Sequence, residues 1–493
     1  MTVQTLVTPA GTLGATLAAE IARGSRFAGL FGTAVPDGVL LSAHLADGGE
    51  VRTVDALVHG DHYPSVTTRV GAAFWYEREI QDLFGLVAVG HPRPEPLILP
   101  LPNDSAWRPR PGDLAMAPGL ADPDPRKLGR HVIGPGLFTI PHGPVRSGVM
   151  ESIEYLVETP GEDIPHLNMR VFYKHRGVEK RFEDMTAADG VLLAERVEGT
   201  ASVAHALAYC HALERLADCR VPPPARFVRM LHAELERIAS YLEVVARLAD
   251  AAGLAVATAR FGWHKERVQR LISRLCGSRF GRGVVVPGGI GDLPSLPSVE
   301  LIAEAGRLER AITADSVALM DTSSFLDRLR GTGPLRPERA VEHGALGPIG
   351  RAAGFADDSR FTRPYDAYPA GEPVPGRYDA GDALARLRVR MAELRHSFGV
   401  IQYAAGALDQ VAGQPLRVEC EPVDGRAVGW AEAPTGEVLY DVRLAGGRIV
   451  RCRPRTASFH NLVLMHEVFA GDILTDFPFI EASFGLSVAG VAL

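Results

Sequence analysis

The sequence has 493 residues, 46% hydrophobic and 23% charged, the proportions of a globular protein, and at roughly 150 residues per domain it has room for about three domains. Its formal charge is −7, from 52 basic and 59 acidic side chains, so electrostatics give no ground for a nucleic acid or an anionic membrane surface as partner. No apolar run approaches the roughly 18–20 residues that span a bilayer, and the first residues lack the basic and apolar regions of a signal peptide. None of the five cysteines (Cys210, Cys219, Cys276, Cys420, Cys452) is spaced as CxxC, which argues against a disulfide framework or a cysteine-ligated cluster within the chain.

In chain order, residues 1–91 read as a small α+β domain. Gly38–Leu45 and Val51–Val58 are strand-like around a hairpin signal, Ala46 to Glu50. A short helix follows in WYEREIQDLFG, with Gly85 as its stop. On spacing alone that helix reads as amphipathic, with its charges outward. Residues 92–130 form a proline-rich linker: Pro92 to Pro125 holds ten of the 36 prolines, which neither a helix nor a central strand tolerates. Residues 131–493 form a larger domain. After a strand at Val149–Val157, long helical patterns occupy Ala187–Ala217, Ala225–Ala252, Arg260–Cys276, Ser298–Leu329 and Asp379–Leu408. Strands return at Gly425–Trp430, Glu437–Leu444 and Arg448–Arg453, with Gly446-Gly447 as a turn, and a last helix is expected at Phe459–Ala470.

Several strings carry a resemblance. WYEREIQDLFGLVAVGHPRP (Trp75–Pro94) resembles the signature of the smaller hydrophilic subunit beside the quinone site of respiratory complex I, a 30-kDa-type scaffold that is fused to the large subunit in formate hydrogenlyase-type hydrogenases. YKHRGVEKRFE (Tyr173–Glu183) resembles the HRGxEK motif shared by the 49-kDa-type complex I subunit and the large subunits of [NiFe] hydrogenases. HAELERIASYL (His232–Leu242), VVPGGIGDLP (Val285–Pro294), Leu329–Tyr368 and Gly429–Ala482, with Ala457-Ser458-Phe459-His460-Asn461, continue it in the same order. The resemblance implies an α+β fold: a small N-terminal α+β domain, then a [NiFe]-hydrogenase-like large-subunit domain with a long-helix bundle and small peripheral β-sheets.

Departures from that pattern bear on function. A [NiFe] centre takes four thiolates, soft ligands that must be deprotonated to bind. The matching positions here are Glu198, Ala201, Ser487 and Gly490. Thr435 stands where the family's APRG loop presents arginine. The two quinone-headgroup contacts of complex I are replaced as well, the loop histidine by Arg146 and the tyrosine by Gly199. His142, His175 and His205 are possible substitutes, each more simply read as structural.

The remaining cavity candidates are Arg146, Glu151, His175, Arg176, Glu179, Arg196, Glu198 and Thr435, with an ion pair of Arg196 with Glu198 or Glu179 as the structural alternative. No metal or cofactor is expected on this chain. A [4Fe–4S] cluster is expected in a partner small subunit, near Arg196, and a quinone is a possible ligand. The implied setting is peripheral, on the cytoplasmic side of the cell membrane, docked on antiporter-like and anchor subunits. The implied function is to line a cavity that passes electrons to a quinone or another acceptor. A non-catalytic scaffold coupling redox chemistry to ion movement is the alternative, and an active hydrogenase is the weakest reading.

Overall fold

The structure, a computed structural model, describes residues 5–101, 107–115, 134–146, 151–369 and 376–493. It is an α+β fold. Strands β1 (Thr5–Val7), β2 (Arg26–Val35), β3 (Gly38–Asp47) and β4 (Glu50–Val58) form one sheet in the order β1-β4-β3-β2, antiparallel except for β1 on β4. Gly48 and Gly49, both at positive φ, make the expected hairpin turn. The sequence reading lacked β2 and the helix α1 (Leu13–Ala22) before it. β2 is buried along nearly its whole length, so it shows no alternation for a pattern to find.

Helix α2 (Phe74–Phe84) ends at Gly85, whose φ of 72° suits glycine. The outward-facing charges expected there are a misreading. Glu77, Arg78, Glu79 and Asp82 are all buried, and all but Glu79 hold a neighbouring stretch of chain. Glu77 accepts from the backbone of Val66 and Thr67; Arg78 donates to the carbonyls of Glu95 and Pro96; Asp82 accepts from the amides of Leu97, Ile98 and Leu99. A buried carboxylate is tolerated where backbone N–H groups surround it. The first part of the proline-rich stretch is thus bound to α2. Its later part, Pro111, accepts from the Ala34 amide at the free edge of β2. Residues 102–106 and 116–130 of that stretch lie outside the described residues.

Two short parallel strands, β5 (His62–Pro64) and β6 (Val87–Val89), complete this region. Next come β7 (Phe138–His142), β8 (Glu154–Thr159) and β9 (His166–Arg170), an antiparallel sheet. The strand expected from Val149 begins at Glu154, and residues 147–150 lie outside the described residues. Helices α3 (Val178–Phe182), α4 (Gly190–Ala194) and α5 (Ser202–Leu216) lead to α6 (Pro223–Ala251), which starts on prolines as expected. Helix α6 is buried on nearly every face because α5, α7 (Ala255–Cys276), α13 (Ala383–Gln410) and α16 (Phe477–Phe484) surround it. Strands β10 (Val285–Val286) and β11 (Gly289–Ile290) form a two-stranded ribbon. Helices α8 (Ser298–Met320), α9 (Ser323–Leu329), α10 (Pro337–His343), α11 (Gly347–Ala352) and α12 (Ser359–Thr362) precede α13. Strands β12 (Gly425–Ala433), β13 (Gly436–Ala445) and β14 (Arg448–Arg455) form a meander turning at Gly446-Gly447. Helices α14 (Ala457–Leu462), α15 (Met465–Val468) and α16 close the chain in place of the single last helix expected.

The N-terminal sheet packs on this meander across a polar seam. Arg451 and Arg455 donate to the carbonyls of Gly32 and Ala28 in β2. Arg453 meets Glu79 at 2.6 Å, and Arg426 bridges Asp55 and Asp441 at 2.8 and 2.9 Å. Among the described residues no helix is long and apolar enough to cross a membrane.

Candidate functional site

The four positions that match nickel ligands come together. Glu198 and Ala201 lie in the break between α4 and α5; Ser487 and Gly490 follow the end of α16. A β-carbon placed on Gly490 would sit 2.9 Å from Glu198 Oε2, so the side chain at 198 fills the space that glycine leaves. Glu198 is fully buried and Ala201 beside it equally so. Its carboxylate accepts from the Ser458 hydroxyl at 3.0 Å and meets His205 Nε2 at 3.4 Å. His205 Nδ1 lies 2.8 Å from the Tyr440 hydroxyl, which burial keeps protonated by raising its pKa. With Tyr440 donating, Nε2 carries the hydrogen that faces Glu198.

Ser458 also accepts from the Ser487 amide at 3.1 Å. The Ser487 hydroxyl donates at 2.7 Å to Glu151, whose other oxygen accepts from the amides of Val488 and Ala489. Arg176 ties the two elements together, donating to the carbonyls of Arg196 and Val197 on one side and of Ala489 on the other. The result is one connected path, Glu198–Ser458–Ser487–Glu151. This donor set does not fit a [NiFe] centre. It offers hard carboxylate and hydroxyl oxygens, already hydrogen-bonded, where soft bridging thiolates are required.

A cleft of about 600 Å³ opens beside this path, with His142, Arg146, Glu151, Thr200 and Ser487 on its walls. Arg146 does not point free into it. It makes a two-pronged pair with Glu481 at 2.6 and 2.9 Å, and Tyr155 donates to the same carboxylate at 3.0 Å. Of the three substitute histidines, His142 alone is on the cleft wall; its pKa is lowered by partial burial and by Arg146.

The other candidates stand elsewhere. Glu179 pairs with Arg451 and Arg453; burial would raise its pKa, but the two guanidinium groups carry it below the usual value. His175 is pushed down to about 4 by burial, and its Nδ1 has no hydrogen-bond partner among the described residues. Arg196 is half exposed and, among the described residues, reaches Leu192 O and Glu195, so neither ion pair expected for it forms. The reason is direction: Arg196 leaves the turn toward the surface while Glu198, two residues on, points inward. Thr435 is buried in the β12–β13 turn against Gly347, away from the cleft lining. Sequence reasoning missed Ser458, Tyr440 and Glu481 as site residues. Ser458 lies inside the Ala457–Asn461 motif; Tyr440 and Glu481 carry no local signal.

Formate hydrogenlyase subunit 5 of Escherichia coli (strain K12) is 31% identical over 437 residues, covering 85% of this chain and 75% of that protein. The chain belongs to the large-subunit family shared by complex I and membrane-bound hydrogenases. Two family descriptions match along it: "Respiratory-chain NADH dehydrogenase, 30 Kd subunit" over residues 38–111 and "Respiratory-chain NADH dehydrogenase, 49 Kd subunit" over residues 253–423. It is therefore a fusion of the two complex I-type units. An NADH-quinone oxidoreductase subunit of Carboxydothermus hydrogenoformans is 30% identical, over 71% of this chain and 96% of that one. A chain in the structure of the membrane-bound sulfane sulfur reductase, an archaeal respiratory membrane complex, shares the fold with a TM-score of 0.66 at 23% identity, covering 74% of this chain and all of that one.

Proposed function

We propose that this chain is a peripheral-arm subunit of a membrane-bound, complex I-like oxidoreductase complex on the cytoplasmic face of the membrane, and that its cleft receives the electron acceptor beside a partner's iron–sulfur cluster. The named relatives, a formate hydrogenlyase subunit and an NADH-quinone oxidoreductase subunit, support the setting. The observation that carries the reading is the cleft of about 600 Å³, which gathers His142, Arg146, Glu151, Thr200 and Ser487 from separate parts of the chain next to Glu198, which fills the space beside Gly490. A cleft of this size with a few convergent polar groups suits a small organic acceptor.

A quinone is the acceptor class that fits best. Its two carbonyls need donors, and its reduction takes two protons with two electrons. His142 and the Thr200 hydroxyl are two donors on the wall; the electrons come from outside this chain. In this reading a partner carrying the cluster docks on the side of the half-exposed Arg196, whose charge would tune it. Antiporter-like and anchor membrane subunits complete the proposed assembly.

The test uses the complex purified from its native membrane. A photoreactive quinone is expected to label peptides around His142 and Thr200, and metal analysis to find iron without stoichiometric nickel. Nickel at one per complex would overturn the reading. A second reading, a scaffold that couples a partner's redox step to ion movement, is favoured by one observation: the site's carboxylates are saturated by internal bonds. Unchanged electron transfer after substitution of His142, Arg146 and Glu151 would select it.

A further inference from the structure

Helix α6 carries a polar stripe that borders two cavities. His232, Glu236, Ser240, Glu243 and Arg247 recur at helical spacing along one side of it. The cleft of about 600 Å³ takes the C-terminal part of that stripe, from Ser240 to Asp250. A second cavity of about 220 Å³ takes the N-terminal part, from His232 to Arg247, between α6 and α7. Thr200, Ser240, Glu243 and Arg247 line both, so the two lie end to end along the helix. From Asp250 to His232 is about 27 Å of α-helix.

The second cavity is uncharged at its inner end. Val203, Ala239, Ile272 and Phe280 supply apolar walls. Glu243 pairs with Lys265 at 2.6 Å and with Arg247 at 3.0 Å, and Arg279 pairs with Glu266, so the charged groups of the lining are already matched. Burial pushes Glu236 up to about 8 and His232 down to about 4, so both are neutral near pH 7. His232 is only 2% exposed, and its Nδ1 has no hydrogen-bond partner among the described residues. That nitrogen looks toward Gly281, another residue of the lining. A β-carbon there would lie 3.8 Å from Nδ1 but only 2.6 Å from Val203 Cγ2, so no side chain of this chain can fill the place. A buried polar atom left unpaired costs free energy that a bound ligand would recover.

We propose that this chamber is an inner station for the acceptor's headgroup, a neutral quinone-type ring that moves along α6 from the cleft and hydrogen-bonds His232 through a carbonyl. The station rests on the reading that the cleft receives the acceptor, and it adds a second stop to that site. A chamber of this size holds one substituted ring, while a longer tail stays in the cleft. The hydroxyls of Thr200 and Ser240 line the passage. A neutral ring passes without disturbing the Lys265–Glu243–Arg247 group; a charged acceptor would have to break it.

The test uses a photoreactive benzoquinone on the complex purified from its native membrane, with labelled peptides mapped by mass spectrometry. Two labelled stretches are expected, one around His142 and one on α6 between His232 and Ala239. Ala239→Leu, which fills the inner chamber from a position off the cleft lining, should lose the α6 label and keep the one at His142. His232→Phe, which keeps a ring but removes the hydrogen bond, should weaken α6 labelling roughly three- to tenfold at limiting probe. Labelling at His142 with none on α6 would overturn the inner station and leave the reading of the cleft standing. Labelling at neither stretch would overturn both. An α6 label unchanged in both variants would also overturn the station.

Discussion

Gly490 and Glu198 depend on each other. With only 2.9 Å between a would-be β-carbon at 490 and the carboxylate, neither side chain can grow unless the other shrinks. Gly490→Ala is therefore expected to cost roughly 1–3 kcal/mol through overpacking. In a Glu198→Ala background the added cost should largely vanish, giving a coupling of about 0.5–3 kcal/mol in a urea-denaturation cycle. Glu198→Ala alone leaves Ser458 and His205 buried without their acceptor, a loss of roughly 1–3 kcal/mol. Glu198→Gln, which keeps an acceptor oxygen, is expected to recover part of it. That the four positions belong together was legible from the resemblance, which runs through the chain in one order. What fills them was not. Ser458 and Glu151 reach the site from positions 260 and 336 residues away along the chain from their partners Glu198 and Ser487, and no local pattern records such a meeting.

At the level of elements, α5 shows why one helical pattern became two helices. Ala187–Ala217 reads as a continuous apolar stripe, yet the chain breaks at 195–201, with Ala201 at φ −143° and ψ 37°. The new N-terminus has no cap from its own N-cap residue. Glu236 of α6 supplies one, accepting from Val203 N at 2.7 Å and Ala204 N at 3.1 Å. Burial nevertheless pushes its pKa up to about 8 from the ordinary 4.5, ahead of the opposing backbone bonds. The folded chain then holds a proton that the unfolded chain releases. That contribution to stability is complete below pH 4.5 and is lost as pH rises through about 8. Glu236→Gln should flatten the fall of the melting temperature between about pH 5 and 9, which thermal melts across that range would show. The motif in α2 teaches a related lesson. Its helix and stop were legible, but a periodicity rule sends charges to solvent, and here four charged side chains are turned inward, three to hold the backbone of other segments and Glu79 to pair with Arg453.

Across the molecule, the N-terminal sheet and the β12–β14 meander behave as one body because their contact is built from desolvated charges. Arg426 satisfies carboxylates on both sides of the seam. Arg426→Ala is expected to lower stability by about 3–5 kcal/mol, since it removes the cation shared by Asp55 and Asp441 and leaves them only Ser42 and His44 among the described residues, and chemical denaturation would measure it. An N-terminal fragment ending at residue 91 should associate or precipitate when produced alone, as light scattering would detect, because the edge of β2 would lose Pro111 and the arginines of β14. The broad plan, small α+β unit then helix bundle then meander, was readable from periodicity and turn residues. The seam was not, because its arginines lie in a strand whose alternation looks like any other.

That seam has a consequence for supply. Where two such units are separate proteins, their pairing depends on how much of each is made and on whether they meet before something else binds either one. Here the two faces share a polypeptide, so each finds the other at an effective concentration set by the tether rather than by expression. The ratio is fixed at one to one, no orphan half accumulates, and the joined surface is ready when the first outside partner arrives.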